Sequence, residues 1–95
     1  MAHLDIKKGS SCFYAGESEE EPLAVIKFVD NYPNTIVIQS TYVAEELRGQ
    51  NIARQLVQHV ADMARKEQKK IVPFCSYVIA LFNKTDEFDD VAAKG

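Results

Sequence analysis

Short apolar and β-branched runs separated by turn residues fill much of the N-terminal half of the chain, which is the pattern of β-strands, and the last run alternates between two faces. The predicted strands are Leu4–Lys7, Ser11–Ala15, Leu23–Val29 and Thr35–Val43. Short connections separate them, so they are expected to form an antiparallel meander. The third of these strands is apolar on both faces apart from Lys27, which indicates a central position in the sheet.

The period changes to that of a helix after the fourth strand. From Ile52 to Ala64, apolar residues recur at helical spacing on one face, and polar residues fill the opposite face. This amphipathic helix is predicted to end near Gln68. Ile71–Cys75 follows as a fifth short strand, and the strand–helix–strand order makes it parallel to the fourth.

The C-terminal part completes a predicted α+β fold. Tyr77–Phe82 suits a short helix, and residues 86–91 are expected to add one more turn. Residues 92–95 are expected to fray.

Length and charge narrow the function classes. Ninety-five residues suit a single domain, here 1–95, whose stability homodimerisation would increase. The net charge of -3 argues against nucleic acid as a partner. No apolar run approaches the length of about 20 residues that a membrane span needs. The N-terminus has no signal pattern and Cys12 and Cys75 form no disulfide framework, so a cytoplasmic protein is expected.

The segment from Glu45 to Arg54, which leads into the predicted helix, is chemically informative. A helix start carries free N–H groups and attracts anions, and Gly49 lets the backbone approach a phosphate closely. Arg48 and Arg54 flank this positive end, where their charges are unfavourable unless an anion lies between them. That anion could be a bound phosphate, or it could be Glu45 and Glu46 of the chain itself.

Leu47–Val57 resembles the pyrophosphate-binding signature of the GNAT superfamily of acyl-CoA-dependent N-acyltransferases, Gln/Arg-x-x-Gly-x-Gly/Ala followed by an apolar helix. Pro73–Tyr77 and Asp86–Val91 are similar to the Pro-x-Cys-Ser-Tyr stretch and acidic-aromatic tail of its short single-domain branch. The resemblance implies a GNAT-like fold, with a four-stranded antiparallel meander, a central amphipathic helix, a fifth parallel strand and short C-terminal helices. It also implies acetyl-CoA or CoA as cofactor and a primary amine, on a small molecule or a lysine, as acetyl acceptor.

The resemblance places the cofactor against three segments. Backbone groups of the fourth strand polarise the thioester carbonyl and pair with the pantetheine arm, and the turn before the helix holds the pyrophosphate. The end of the last helix contacts the adenosine, although a solvated helix end is an equal alternative there. The implied cofactor-binding residues are Thr41, Tyr42, Val43, Arg48, Gly49, Gln50, Asn51, Ile52, Ala53, Arg54, Asn83 and Lys84.

Three positions depart from the family pattern. Glu46 replaces Gln or Arg, Asn51 replaces Gly or Ala, and Ser40–Thr41 replaces a His-Thr pair. Asparagine tolerates left-handed backbone geometry, and it is also a good N-cap, so Asn51 is expected to cap the helix end that a pyrophosphate would use. Without the histidine, a CoA-binding or protein-interaction module with little or no catalysis is the alternative function.

Cys75 and Tyr77 are the candidate catalytic residues. Cys75 could accept the acyl group, donate a proton or fill the core, and filling is favoured because a thiol with a pKa of about 8.5 is mostly protonated at neutral pH. Tyr77 could donate a proton to the departing thiolate or pack in the core. His59 is expected to be half-buried rather than catalytic, and neither it nor His3 has partners at metal-ligand spacing.

Overall fold

The structure, a computed structural model, describes residues 5–18, 20–31 and 34–93. Its elements are β1 (Lys7–Lys8), β2 (Cys12–Ala15), β3 (Ala24–Asn31), β4 (Thr35–Val43), a 3-10 helix (Glu45–Leu47), α1 (Ile52–Glu67), β5 (Lys70–Pro73) and α2 (Ser76–Lys84). The five strands form one sheet in the order β1-β2-β3-β4-β5. The first four are antiparallel and β5 is parallel to β4, which confirms the predicted α+β topology.

β3 is central, as its composition predicts, but it is not buried on both faces. Ala24, Ile26 and Phe28 alternate along the strand and belong to the hydrophobic core. On the opposite face, Val25 is buried but lies outside the core cluster, Lys27 is exposed and Val29 is 41% exposed. The core therefore lies on one side of this strand.

α1 packs its apolar stripe against that core. The buried residues of the helix are Ile52, Leu56, Val57, Val60, Ala61 and Ala64. Each large aliphatic side chain that is fully buried stabilises the fold by about 1.5–3 kcal/mol. The helix ends at Gln68, which adopts a left-handed conformation with φ 58° and whose N–H donates to the carbonyl groups of Ala64 and Arg65.

The ends of the chain differ from the sequence-based expectation. β1 is Lys7–Lys8 rather than Leu4–Lys7, and Leu4 itself lies outside the described residues. Ala92 does not fray: it forms a parallel bridge with Ile71, and the N–H of Ala93 donates to the Ile71 carbonyl at 2.8 Å. The outer edge of β5 has backbone groups that need partners, and these residues supply them. Residues 94 and 95 lie outside the described part.

Residues 86–91 form the predicted extra turns after α2. The N–H of Asp89 donates to the Asp86 carbonyl at 3.1 Å, and the N–H of Val91 donates to the Phe88 carbonyl at 3.0 Å. Phe88 and Val91 are 1% and 2% exposed, so both side chains anchor this segment in the core. Within the described residues, neither α1 nor α2 combines the length and the apolar character that crossing a membrane requires.

Candidate functional site

β4 separates from β5 halfway along its length. The two strands pair in parallel only from Thr35 to Ile38 of β4. The N–H of Phe74 donates to the Ile38 carbonyl at 2.9 Å, and beyond this point no described strand pairs with this edge of β4. The edge of β4 from Gln39 to Val43 is therefore open.

A β-bulge accompanies the separation. On the opposite edge of β4, Lys27 pairs with Ser40, but the next residue, Phe28, pairs with Ile38. Gln39 is thus an extra residue in the ladder. Such a bulge bends the strand locally, and it lies at the point where the pairing of β4 with β5 ends.

The bulge also decides which peptide groups face the open edge. The N–H of Ala44 donates to the Leu23 carbonyl at 2.7 Å, so this pair belongs to the β3–β4 ladder. Alternation along an antiparallel ladder then directs the N–H and C=O groups of Thr41 and Val43 away from β3. The Nε of Arg48 donates to the Val43 carbonyl at 3.1 Å, which agrees with that direction.

The turn before α1 contains two residues in the left-handed backbone region, Gly49 with φ 85° and Asn51 with φ 62°. A Cβ placed on Gly49 would meet no heavy atom within 4 Å, so the backbone at this position is open to an approaching ligand. The Asn51 side chain forms no capping hydrogen bond, so the prediction that it caps α1 is wrong. A capping residue normally has extended backbone geometry, and the left-handed conformation of Asn51 prevents that arrangement. The unpaired N–H groups of the first turn of α1 are consequently not covered by Asn51.

Of the two anions that the sequence suggested for this helix end, Glu45 and Glu46 do not pair with the arginines, and within the described ranges they take part in no ion pair. Arg54 instead forms an ion pair with Glu87 from the C-terminal turns. Sequence reasoning missed Glu87, because the two residues are 33 positions apart and no local pattern connects them.

The open edge of β4 and the turn before α1 border one cleft of about 410 Å³, a volume within the range of ligand pockets. Its lining residues are Thr41, Tyr42, Val43, Leu47, Arg48, Gly49, Asn51, Ile52, Ala53 and Tyr77. The structure thus brings most of the predicted site residues together. Leu47 was not predicted, although an apolar residue within a polar turn was a usable signal.

Several predicted residues lie outside the cleft lining. The Nε2 of Gln50 donates to the Glu46 carbonyl at 3.5 Å, and its side chain is exposed. The Arg54 side chain is held by Glu87. Asn83 and Lys84 lie in the last turn of α2, where they border a different concavity.

Cys75 lies next to the open edge of β4. It is half-buried at the N-terminus of α2, and its Sγ donates to the Thr41 hydroxyl at 3.4 Å. Burial raises the pKa of Cys75, but the Thr41 hydroxyl and the N–H groups of Val78, Tyr77 and Thr41 outweigh that effect, so the pKa is lowered overall. Two of these N–H groups, those of Tyr77 and Val78, belong to the first turn of α2. Cys75 is therefore more acidic than the ordinary thiol that the sequence suggested.

Tyr77 lines the cleft and is 40% exposed. Partial burial raises the pKa of Tyr77, Arg54 lowers it, and the charge of the Cys75 thiolate raises it; the net pKa is raised. The phenol is therefore protonated at neutral pH and can donate a proton.

His59 is half-buried, as expected, and packs edge-on against Phe13 with ring centroids 5.5 Å apart. It does not line the cleft. Within the described residues, no group of three His, Cys, Asp or Glu side chains is arranged to hold a metal ion. His3 lies outside the described residues.

Known proteins are similar to this chain in fold and in sequence. Residues 12–91 match the model of the GCN5-related N-acetyl-transferase family. A solved GCN5-like protein from Staphylococcus aureus, which its name places among the N-acetyltransferases, is 35% identical; the alignment covers 100% of this chain and 93% of that chain with a TM-score of 0.83. No curated protein sequence matches the chain significantly.

Two more distant structures share the fold. An IAA acetyltransferase from Bacillus cereus is 23% identical over 77% of this chain and 51% of its own, with a TM-score of 0.58. An acetyltransferase from Vibrio fischeri is 18% identical over 70% of this chain and 63% of its own, with a TM-score of 0.51. The family match extends from β2 through the C-terminal turns, and acetyl transfer is the general activity that the family's name records. The chain belongs to the GCN5-related N-acetyltransferase family.

Proposed function

We propose that residues 1–95 form one acyl-CoA-binding domain that binds acetyl-CoA and transfers the acetyl group to a primary amine, on a small molecule or a lysine. One observation carries the proposal. The open edge of β4, the left-handed turn before α1 and Tyr77 border the same cleft, and Cys75 contacts that edge through Thr41.

The turn supplies the groups that phosphates require. The first N–H groups of α1 have no partner within the helix and no side-chain cap from Asn51, and the Gly49 backbone is unobstructed, so phosphate oxygens can approach both closely. Arg48 lines the cleft at the same point and adds a positive charge. The adenosine end would extend beyond the cleft, and contacts with Asn83 and Lys84 are part of the proposal.

Acetyl-CoA supplies an activated thioester, and the chain's own groups would handle charge and protons around it. The N–H groups of Thr41 and Val43 face the open edge; that of Thr41 already acts on the Cys75 Sγ, and that of Val43 can stabilise negative charge on a carbonyl oxygen. The Tyr77 hydroxyl, protonated at neutral pH, can donate a proton to a departing thiolate. The lowered pKa of Cys75 increases the fraction of thiolate, the form that can accept a proton from an amine, which supports a reactive role over simple packing.

A transfer assay tests this function. The purified chain is incubated with acetyl-CoA and a panel of primary amines, including lysine peptides, and the released CoA thiol is measured. We expect turnover with at least one amine, and Tyr77→Phe should reduce it by about 10²-fold or more, as expected for loss of a proton donor. Tyr14→Phe is the matched control, because Tyr14 is half-buried in β2 and does not line the cleft.

A CoA-binding or protein-interaction module with little or no catalysis is the second candidate. It is favoured by Ser40, which is exposed where the family's short branch carries histidine, so proton transfer relies on Cys75 and Tyr77. Binding of acetyl-CoA without turnover on any amine of the panel would favour this alternative. A cytoplasmic location and a homodimer remain part of the proposal.

A further inference from the structure

A carboxylate of the chain itself forms an ion pair with an arginine next to the cleft. The guanidinium of Arg54, in the first turn of α1, forms an ion pair with the carboxylate of Glu87. That turn contains no acidic residue of its own. Glu87 is thus the anion that compensates the positive end of the helix and the charge of Arg54.

The backbone around Glu87 is fixed, so the contact is prearranged. Phe88 is 1% exposed and anchors the segment in the core. The Nη2 of Arg65 donates to the Glu87 carbonyl at 3.1 Å, and the Nε of Arg65 donates to the Asp90 carboxylate at 2.7 Å. The Glu87 side chain takes no part in these contacts, so it can move away from Arg54 while they persist.

Arg54 is close enough to the cleft to act on a ligand there. Its neighbour Ala53 lines the cleft, and the charge of Arg54 lowers the pKa of Tyr77, another lining residue. The side chains of Arg54 and Glu87 are 41% and 40% exposed. A pair so exposed is weak, and a phosphate group with more negative charge than one carboxylate can displace Glu87 from it.

We infer that Glu87 competes with the phosphates of the ligand for Arg54, so that binding of CoA releases the Glu87 side chain. The inference rests on the proposed function, because it needs CoA in this cleft. Glu87 then sets the affinity: it neutralises Arg54 in the free protein and weakens the binding of anionic ligands by the strength of the ion pair.

Isothermal titration of the full chain with CoA tests this competition. Glu87→Gln should bind CoA about two- to fivefold more tightly than the wild type, since exposed ion pairs contribute that much. Glu87→Ala, which removes the same carboxylate, should change the affinity in the same direction. Asp90→Asn is the matched control: it removes one negative charge from the same segment, but its partner is Arg65, and its affinity should equal that of the wild type.

A double-mutant cycle separates displacement from a general charge effect. In an Arg54→Ala background, Glu87→Gln should no longer increase the affinity, because the pair is already broken. An equal gain in that background, or a gain with Asp90→Asn as large as with Glu87→Gln, would contradict the competition. If the wild type binds CoA and Glu87→Gln binds no better, the inference fails alone; if neither binds, the proposed function fails with it.

Discussion

Two residues with left-handed backbone geometry shape the turn that faces the cleft. Glycine adopts this geometry without strain, whereas other residues pay about 1–2 kcal/mol, asparagine less than most. A Cβ on Gly49 would meet no heavy atom within 4 Å, so packing does not require a glycine here. The absence of a side chain instead leaves the backbone accessible to a ligand. Asn51 forms no cap, so its backbone conformation is what suits it to this position.

Gly49→Ala should therefore affect both stability and binding. The added methyl group strains the backbone, which should lower the free energy of unfolding by about 1–2 kcal/mol. It also fills the space through which phosphate approaches, so acetyl-CoA should bind at least about tenfold more weakly, a loss of about 1.4 kcal/mol. Urea denaturation and calorimetric titration measure the two effects.

Asn51→Gly is the matched control in the same turn. It keeps the left-handed conformation and has no cap to lose, so the free energy of unfolding should change by less than about 0.5 kcal/mol, and acetyl-CoA affinity by less than about twofold. If Asn51→Gly instead lost about 1 kcal/mol and bound the ligand about fivefold more tightly, Asn51 would be the cap that the sequence suggested.

The lowered pKa of Cys75 predicts a reactive thiol. Its alkylation by iodoacetamide should rise with pH around a midpoint below that of an unstructured cysteine peptide measured under the same conditions. Thr41→Val removes the hydroxyl that stabilises the thiolate and should move the midpoint upward. Cys12, 4% exposed, should react slowly in the folded protein. A Cys75 midpoint that is not below that of a model thiol, or that ignores Thr41→Val, would contradict this account.

Residue identity alone could predict some of the site and not the rest. Gly49 and Arg48 were predicted from chemistry that does not depend on distant partners. Asn51 was ambiguous, because capping and left-handed geometry both favour asparagine and only the backbone angle distinguishes them. The acidity of Cys75 depends on Thr41, which is 34 positions away.

At the scale of elements, residues 86–91 after α2 are bound to α1 by ion pairs and hydrogen bonds, and we call this segment the clasp. Arg65 is the link, since it donates to the carboxylates of Asp62 at 3.0 Å and Asp90 at 2.7 Å. The hydrogen bond from Arg65 lowers the pKa of Asp90, partly offset by burial. The Arg65 bond to the Glu87 carbonyl and the buried Phe88 fix the Glu87 backbone, so loss of the Asp90 carboxylate alone leaves Glu87 beside Arg54.

The clasp predicts a pH dependence of stability. A carboxyl whose pKa is lowered by folding contributes stability above its unfolded pKa of about 3.9, and this contribution is lost as the pH falls through the folded value. Asp90→Asn should therefore be less stable than the wild type at pH 7, and the difference should shrink below about pH 4. Urea denaturation from pH 7 to about pH 2.5 measures it. A difference that stays constant over this range would mean that Asp90 acts by packing instead.

The spacing of apolar residues correctly predicted the elements whose conformation is determined by their own residues. The apolar stripe of α1 is visible in its spacing, and that helix lies where the pattern places it. β1 and residues 92–93 were misplaced, because their backbone conformation depends on the neighbouring strands rather than on their own pattern. Lys7 and Lys8 pair with Tyr14 and Phe13, and Ala92 pairs with Ile71, and local propensity carries no information about such pairing.

At the scale of the whole molecule, the cleft lies where the pairing between β4 and β5 has ended. The order of the strands was predictable from the alternation of elements, including the parallel pair. The bulge at Gln39 was not, since nothing in the run Ile38–Ser40 marks an extra residue. The register shows that the separation of β4 from β5 begins after Ile38.

The central claim is that this cleft is the acetyl-CoA site. Titration of the isotopically labelled protein with acetyl-CoA, followed by the amide resonances in NMR spectra, tests it most directly. We predict saturable shifts at Thr41–Val43 and Gly49–Arg54, and little change at Phe13 and His59, which pack together away from the cleft. No shifts at millimolar acetyl-CoA, or shifts that leave both segments unchanged, would contradict the account.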